Sequence, residues 1–172
     1  MQIKKKRLIP MAQQPLSREL IQVFYSLYAN QMLSSAALTG GASATITTGA
    51  AYNAVVNGVL VSKATAASLA ALNGPTIQNT GSTCQAWIFT MDSAGTFFTQ
   101  PGVPATTIAG IQLPTVYEIN PTSGLPQIVV GMLTINNASV GAFVPATTLL
   151  NVANLNVIFN NTVGPFFAVQ QM

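Results

Sequence analysis

The segment AYNAVVNGVLVSKA, residues 51–64, restricts the fold more than any other part of the chain. Asn57 and Gly58 stand between two runs of small and β-branched apolar residues. Both residues readily take the positive φ values of a type I′ turn, which joins two antiparallel strands. The segment therefore predicts a β-hairpin with its turn at Asn57 and Gly58.

A second hairpin is indicated by CQAWIFTMDSAGTFFTQ, residues 84–100. Its strands are expected at 84–91 and 96–100. Asp92 can accept hydrogen bonds from the turn amides, and Gly95 can take the left-handed conformation. The sequence thus predicts a tight turn from Asp92 to Gly95.

Further strands are expected at 43–48, 127–136 and 155–160, where β-branched residues dominate between turn residues. Residues 65–72 stay open between a helical turn and irregular structure. No helical period of any length follows residue 75. These features predict a mainly β fold, an antiparallel β-sandwich or small jelly-roll-like barrel, as one β domain at 42–172.

The N-terminal part follows a different pattern. Residues 1–14 are expected to form an extended basic arm, because Pro10 and like charges oppose a helix there. Residues 15–39 are predicted to be a helix with Ser17 as its N-cap. Gly40 and Gly41 would end this helix.

Charge is concentrated at the start of the chain. The first nineteen residues hold five of the six basic residues and one acid. The rest of the chain contains Lys63, Asp92 and Glu118 as its charged residues, and only 5% of the whole chain is charged. A body with so little charge lacks the repulsion that keeps monomers apart, which predicts a surface covered by partners.

The composition disfavours enzymatic and metal chemistry. The chain has no histidine and one cysteine, Cys84, so the commonest general base and the usual zinc ligands are missing. Asp92 and Glu118 could form a glycosidase-like acid pair, but a turn position for Asp92 and a loop position for Glu118 explain both residues more simply. We therefore expect no catalytic residue, no cofactor site and no metal site.

Specific nucleic-acid binding and membrane insertion are also disfavoured. A surface that follows a phosphate backbone needs several Lys or Arg side chains, and the body contains only Lys63. The longest uncharged N-terminal stretch, residues 20–38, contains too many Gln, Asn and Ser residues for a membrane span.

Several segments resemble structural proteins of tailed-bacteriophage virions, of the capsid decoration (cement) or head-fibre type. The resemblance lies in four stretches between residues 52 and 167: VVNGVLVSKA, WIFTMDSAGTFFTQPGVPA, VVGMLTINNASVGAFVPATTLLN and NVIFNNTVGPF. These motifs consist of strands and turns. The arm and helix at 1–38 lie outside the match.

The resemblance implies a virion component, assembled in the host cytoplasm, that binds the major capsid protein or other virion proteins. A decoration protein that stabilises the head surface is the first expectation, and a homotrimer the expected assembly. The alternative is a receptor-binding, adhesin-like protein of a tail or head fibre, with Trp87, Phe97 and Phe98 as candidate sugar contacts. For these aromatics, core packing is the favoured interpretation. The expected capsid anchor is Lys4, Lys5, Lys6, Arg7 and Ile9.

Overall fold

The computed structural model describes residues 28–40, 44–66, 68–81, 83–137, 141–153 and 155–165. These residues form eleven strands, numbered β1 to β11 in chain order. The first six strands are β1 (Gln31–Met32), β2 (Leu38–Gly40), β3 (Thr45–Thr48), β4 (Tyr52–Val56), β5 (Val59–Lys63) and β6 (Ala70–Ala71). The remaining strands are β7 (Cys84–Asp92), β8 (Phe97–Pro101), β9 (Gln127–Asn136), β10 (Asn156–Asn161) and β11 (Gly164–Pro165), and a short 3₁₀ turn spans Ile108–Gly110.

The strands form three antiparallel sheets. One has the order β11-β1-β4-β5, the second β10-β9-β7-β8, and the third β2-β3-β6. Every strand pairing is antiparallel. The predicted mainly β, antiparallel fold is confirmed at this level.

Both predicted hairpins are present. Asn57 and Gly58 have φ values of 50° and 78°, the pair of positive values that a type I′ turn needs. The turn places Val56 opposite Val59, so β4 and β5 pair directly on either side of it. Local turn chemistry therefore sets the register of this hairpin.

The second turn is held by the carboxylate of Asp92. Its Oδ1 accepts hydrogen bonds from the amides of Ala94 and Thr96, at 3.0 and 2.8 Å. Gly95 has a φ of 78° and donates its amide to the carbonyl of Asp92 at 2.8 Å. The prediction of a turn between Asp92 and Gly95 is confirmed. The first strand, Cys84–Asp92, is one residue longer than the predicted 84–91, and the second, Phe97–Pro101, is shifted by one residue from the predicted 96–100.

The three sheets share one core in a sandwich-like arrangement. Buried side chains from all of them join a single apolar cluster that includes Leu38, Tyr52 and Trp87. Tyr52 of β4 reaches Met91 of β7, and its hydroxyl lies 3.7 Å from the sulfur. Trp87 packs edge-on against Phe143, with ring centroids 6.1 Å apart.

Strand β7 is the centre of the fold, because all nine of its residues are buried. It lies between β8 and β9, and its register with β9 shifts between Phe89 and Thr90. One extra residue in β9 at this point forms a bulge, which increases local twist. A central strand buried on both faces explains the near-continuous apolar run in its sequence.

The prediction of a helix over residues 15–39 is wrong for the last residues of that range. Tyr28 and Ala29 are helical, but the helix ends there, and β1 and β2 occupy positions predicted as helix up to residue 39. The β domain therefore begins at Gln31 instead of residue 42. The start of the helix and the arm at 1–14 lie outside the described residues.

Residues 65–72, left open by the sequence, include the short strand β6 (Ala70–Ala71). Ala70 and Ala71 pair with Ile46 and Thr45 of β3, so β6 is the third strand of its sheet. The amide of Leu69 adds a bond of 2.7 Å to the carbonyl of Ile46. This pairing is a long-range contact, which local propensity could not indicate.

Candidate interaction surfaces

The two carboxylates of the body have separate structural positions. Asp92 is 1% exposed, and its Oδ1 accepts from two turn amides. Glu118 is exposed, and its backbone carbonyl accepts from the amide of Gln127 at 2.9 Å. Gln127 is also the partner of Asp92 in the β7–β9 ladder, so it stands between the two acids. This arrangement gives Asp92 a turn-holding role and leaves Glu118 on the surface.

Within the part of the chain that the structure describes, no cluster of three or more His, Cys, Asp or Glu side chains could hold a metal ion. Cys84 is buried at the start of β7. The side chain of Lys63 lies against Gly95 in the second turn, and the methylenes of a lysine pack well on such a surface. Lys63 thus covers the rim of the core beside the Asp92 turn.

A first apolar surface lies at the tip of the β4–β5 hairpin. We name it the hairpin-tip surface, formed by Tyr28, Val59 and Leu60, which are 63%, 50% and 62% exposed. The hairpin tip is hydrogen-bonded to the segment that leads into the domain. The amide of Gly58 donates to the carbonyl of Ala29 at 2.9 Å, and the amide of Asn57 donates to Oδ1 of Asn30 at 2.7 Å.

The N-terminal segment therefore enters the described body at the hairpin-tip surface. The predicted anchor residues Lys4, Lys5, Lys6, Arg7 and Ile9 lie outside the described residues. Arg18 is the last cation of this segment and precedes Tyr28 by ten positions in the sequence.

A second apolar surface lies on the connection between β8 and β9, residues 102–126. Six large apolar side chains of this connection are 37–57% exposed. We name them the loop surface: Val103, Ile108, Leu113, Tyr117, Ile119 and Leu125. Glu118 is the only charged residue in the connection.

The aromatic residues that could have contacted sugar lie mainly in the interior. Trp87 is fully buried, and its indole N–H donates to the carbonyl of Asn73 at 2.6 Å. Phe97 stacks on Phe89 with centroids 5.8 Å apart, and Phe98 is half-buried. The favoured interpretation of core packing is confirmed for Trp87 and Phe97. Among the residues that the structure describes, the exposed aromatics are Tyr28 and Tyr117.

Sequence reasoning missed the loop surface. A weak signal was present, since residues 102–126 combine many apolar residues with one charge and lack the alternation of a strand. Exposed apolar side chains on a surface connection make these residues a candidate interaction surface.

Among the described residues, no helix has the length and apolar character needed to cross a membrane. Comparison with known proteins gave no match to a family model, to a curated protein or to a solved structure.

Proposed function

We propose that this chain is a structural component of a bacteriophage virion, a capsid decoration (cement) protein that binds the head surface and stabilises it. In this proposal it is not an enzyme and takes no cofactor. It assembles as a homotrimer on the major capsid protein or another virion protein. The observation that carries the proposal is a body with three charged residues that exposes large apolar side chains on two surfaces.

Apolar surface in contact with water is unfavourable by about 25 cal/mol per Å². An ordinary monomer limits such patches and keeps itself soluble with charge. This body does neither, since residues 28–165 contain only Lys63, Asp92 and Glu118 as charged residues and Asp92 is buried. Such a surface suits a protein whose faces are covered in a permanent assembly.

The attachment step is assigned to the N-terminal segment. Lys4, Lys5, Lys6 and Arg7 would contact acidic groups of the head, and Ile9 would add apolar burial. Since the segment enters the body at the hairpin-tip surface, that surface would face the head. The proposed decoration protein thus consists of an extended arm at 1–14, a helix that ends at Ala29, and a body of sandwich or small jelly-roll-like barrel type.

The test is a binding experiment with undecorated phage heads. Full-length protein and a chain lacking residues 1–14 are mixed with heads at low and high salt, and occupancy is measured by cryo-electron microscopy. We expect full-length protein to decorate the heads, and deletion or high salt to reduce occupancy, because salt screens exposed charges over about 10 Å at 0.1 M. If burial of Ile9 dominates, Ile9→Ser should reduce occupancy at both salt concentrations. Failure of the full-length chain to bind any head would refute the proposal.

A second candidate is a receptor-binding, adhesin-like protein of a tail or head fibre. The exposed rings of Tyr28 and Tyr117 favour it, since sugar rings stack on exposed aromatic faces. A glycan-binding assay with wild-type protein and Tyr28→Ser or Tyr117→Ser separates the candidates. Binding lost in either variant would support the adhesin.

A further inference from the structure

The chain contains two Asn-Gly pairs, Asn57-Gly58 and Asn73-Gly74. Asn is a thermolabile residue, because the backbone nitrogen of the next residue can attack its side-chain carbonyl carbon. A following glycine favours this attack, since it has no side chain and its backbone adopts many conformations. All four residues are exposed, so neither the dipeptide nor its exposure distinguishes the two pairs.

At the first pair the attacking nitrogen is held by a hydrogen bond. The amide of Gly58 donates to the carbonyl oxygen of Ala29 at 2.9 Å, and the amide of Asn57 donates to Oδ1 of Asn30 at 2.7 Å. The bond to Ala29 must open before the nitrogen of Gly58 can lose its proton and attack. The fold therefore protects Asn57.

At the second pair the hydrogen bonds lie on the two oxygens of the asparagine. The indole N–H of Trp87 donates to the carbonyl oxygen of Asn73 at 2.6 Å, and the hydroxyl of Thr99 donates to Oδ1 of Asn73 at 3.0 Å. The same hydroxyl can instead donate to the carbonyl of Ala71 at 3.2 Å. Within the described part of the chain, the amide of Gly74 donates no hydrogen bond. The attacking nitrogen is thus free, while the atoms around it are held.

These two oxygens are the atoms that gain negative charge in the reaction. Loss of the proton from the nitrogen of Gly74 spreads charge onto the carbonyl oxygen of Asn73, where Trp87 donates. Attack of that nitrogen on Cγ of Asn73 places charge on Oδ1, where Thr99 donates. Donors that are already aimed at developing charge lower the barrier of a reaction.

We propose that Asn73 is a site of spontaneous modification, at which Trp87 and Thr99 assist the conversion of the asparagine to isoaspartate and aspartate. Hydroxide takes the proton of the Gly74 nitrogen, the bond from this nitrogen to Cγ forms, and the bond from Cγ to Nδ2 breaks. Nδ2 leaves as ammonia after it takes a proton from water. A water molecule then opens the cyclic imide at one of its two carbonyl carbons. The product adds a carboxylate to a body with three charged residues, and its formation is independent of the proposed virion role.

Peptide mapping of the full-length chain during incubation at mildly alkaline pH tests the proposal. The chain beyond Lys63 has no further Lys or Arg, so chymotryptic peptides are used. Chromatography with mass spectrometry separates the asparagine, isoaspartate and aspartate forms at each site. We expect Asn73 in the folded protein to react at least about fivefold faster than Asn57, because each hydrogen bond changes a rate by about two- to tenfold. In urea that unfolds the chain, the two sites should react at similar rates.

Variants of Thr99 test the role of the hydroxyl. Thr99→Val removes the donor to Oδ1 and should slow the reaction at Asn73 by about two- to tenfold. Thr99→Ser keeps a hydroxyl and should keep the wild-type rate. Thr122→Val, at an exposed threonine of another turn, is the matched control and should leave both sites unchanged. Circular dichroism checks the fold of each variant.

Several outcomes would overturn the proposal. Asn57 could react as fast as Asn73 in the folded protein, or neither site could react there. A ratio of the two rates that stays the same in urea would assign the difference to local sequence instead of the fold. A faster reaction in Thr99→Val would show that the hydroxyl restrains the side chain. If Thr99→Val does not fold, the wild-type rates in the folded and unfolded chain still decide.

Discussion

The hydroxyl of Tyr52 on β4 lies 3.7 Å from the sulfur of Met91 on β7, and this contact joins two of the sheets inside the core. Tyr52 is 1% exposed. Burial raises the pKa of Tyr52 above its usual 10.0, because the phenolate form would be poorly solvated there.

This contact predicts a loss of stability at alkaline pH. In the unfolded chain Tyr52 ionises near pH 10, whereas the folded protein keeps it protonated to higher pH. The stabilising contribution is therefore complete below pH 10 and is lost as pH rises from there through the folded pKa. Urea unfolding between pH 8 and 12 should show that Tyr52→Phe has a weaker pH dependence than wild type. Tyr117→Phe, an exposed control, should behave as wild type.

The turn at Asn57 and Gly58 predicts a backbone effect. Gly58 has a φ of 78°, so Gly58→Ala should destabilise the protein by about 1 kcal/mol. Gly110→Ala is the control, since Gly110 is without a positive φ and a Cβ there would meet its nearest atom at 3.4 Å. Thermal unfolding that gave the same Tm for both variants would contradict a type I′ turn at this hairpin.

The carboxylate of Asp92 predicts a difference between the two acids. Asp92→Ala leaves the amides of Ala94 and Thr96 without their acceptor, at a cost of about 1–3 kcal/mol. Glu118→Ala removes an exposed side chain and should change stability by less than about 0.5 kcal/mol. Chemical denaturation measures both. Cleavage of cell-wall glycan is assayed with the same variants. Cleavage by wild type that is lost in either variant would show that the acids are catalytic.

The edge-on pair of Trp87 and Phe143 predicts a large packing effect. Phe143 is fully buried, and its backbone pairs with Ile77. Phe143→Ala should cost about 3–5 kcal/mol, because it removes a ring and leaves a cavity beside Trp87. Trp87 is the only tryptophan, so its fluorescence reports unfolding directly. Leu149→Ala, at a side chain that is 42% exposed, should have a much smaller effect.

Features that depend on neighbouring residues could be predicted from the amino-acid sequence. Asn57 and Gly58 fixed one turn, and Asp92 and Gly95 the other, because their backbone and side-chain preferences act within a few positions. The bounds of β9 were predicted at 127–136 and observed as Gln127–Asn136, since a β-branched run between turn residues is a local signal. The scarcity of charge and the lack of histidine were likewise visible without a structure.

Features that depend on distant residues became visible only in the three-dimensional fold. Gln31 and Met32 follow an apolar pattern that fits a helix, yet they pair with Val55 and Ala54 of β4, and with Pro165 and Gly164 of β11. Burial against strands far along the chain outweighs the weak local preference for helix there. The loop surface has the same origin, because the amides that fix it, Asn120 and Gln127, are buried where β9 pairs with β7. A periodic pattern records which residues are apolar, and the packing of the whole chain decides which of them remain exposed.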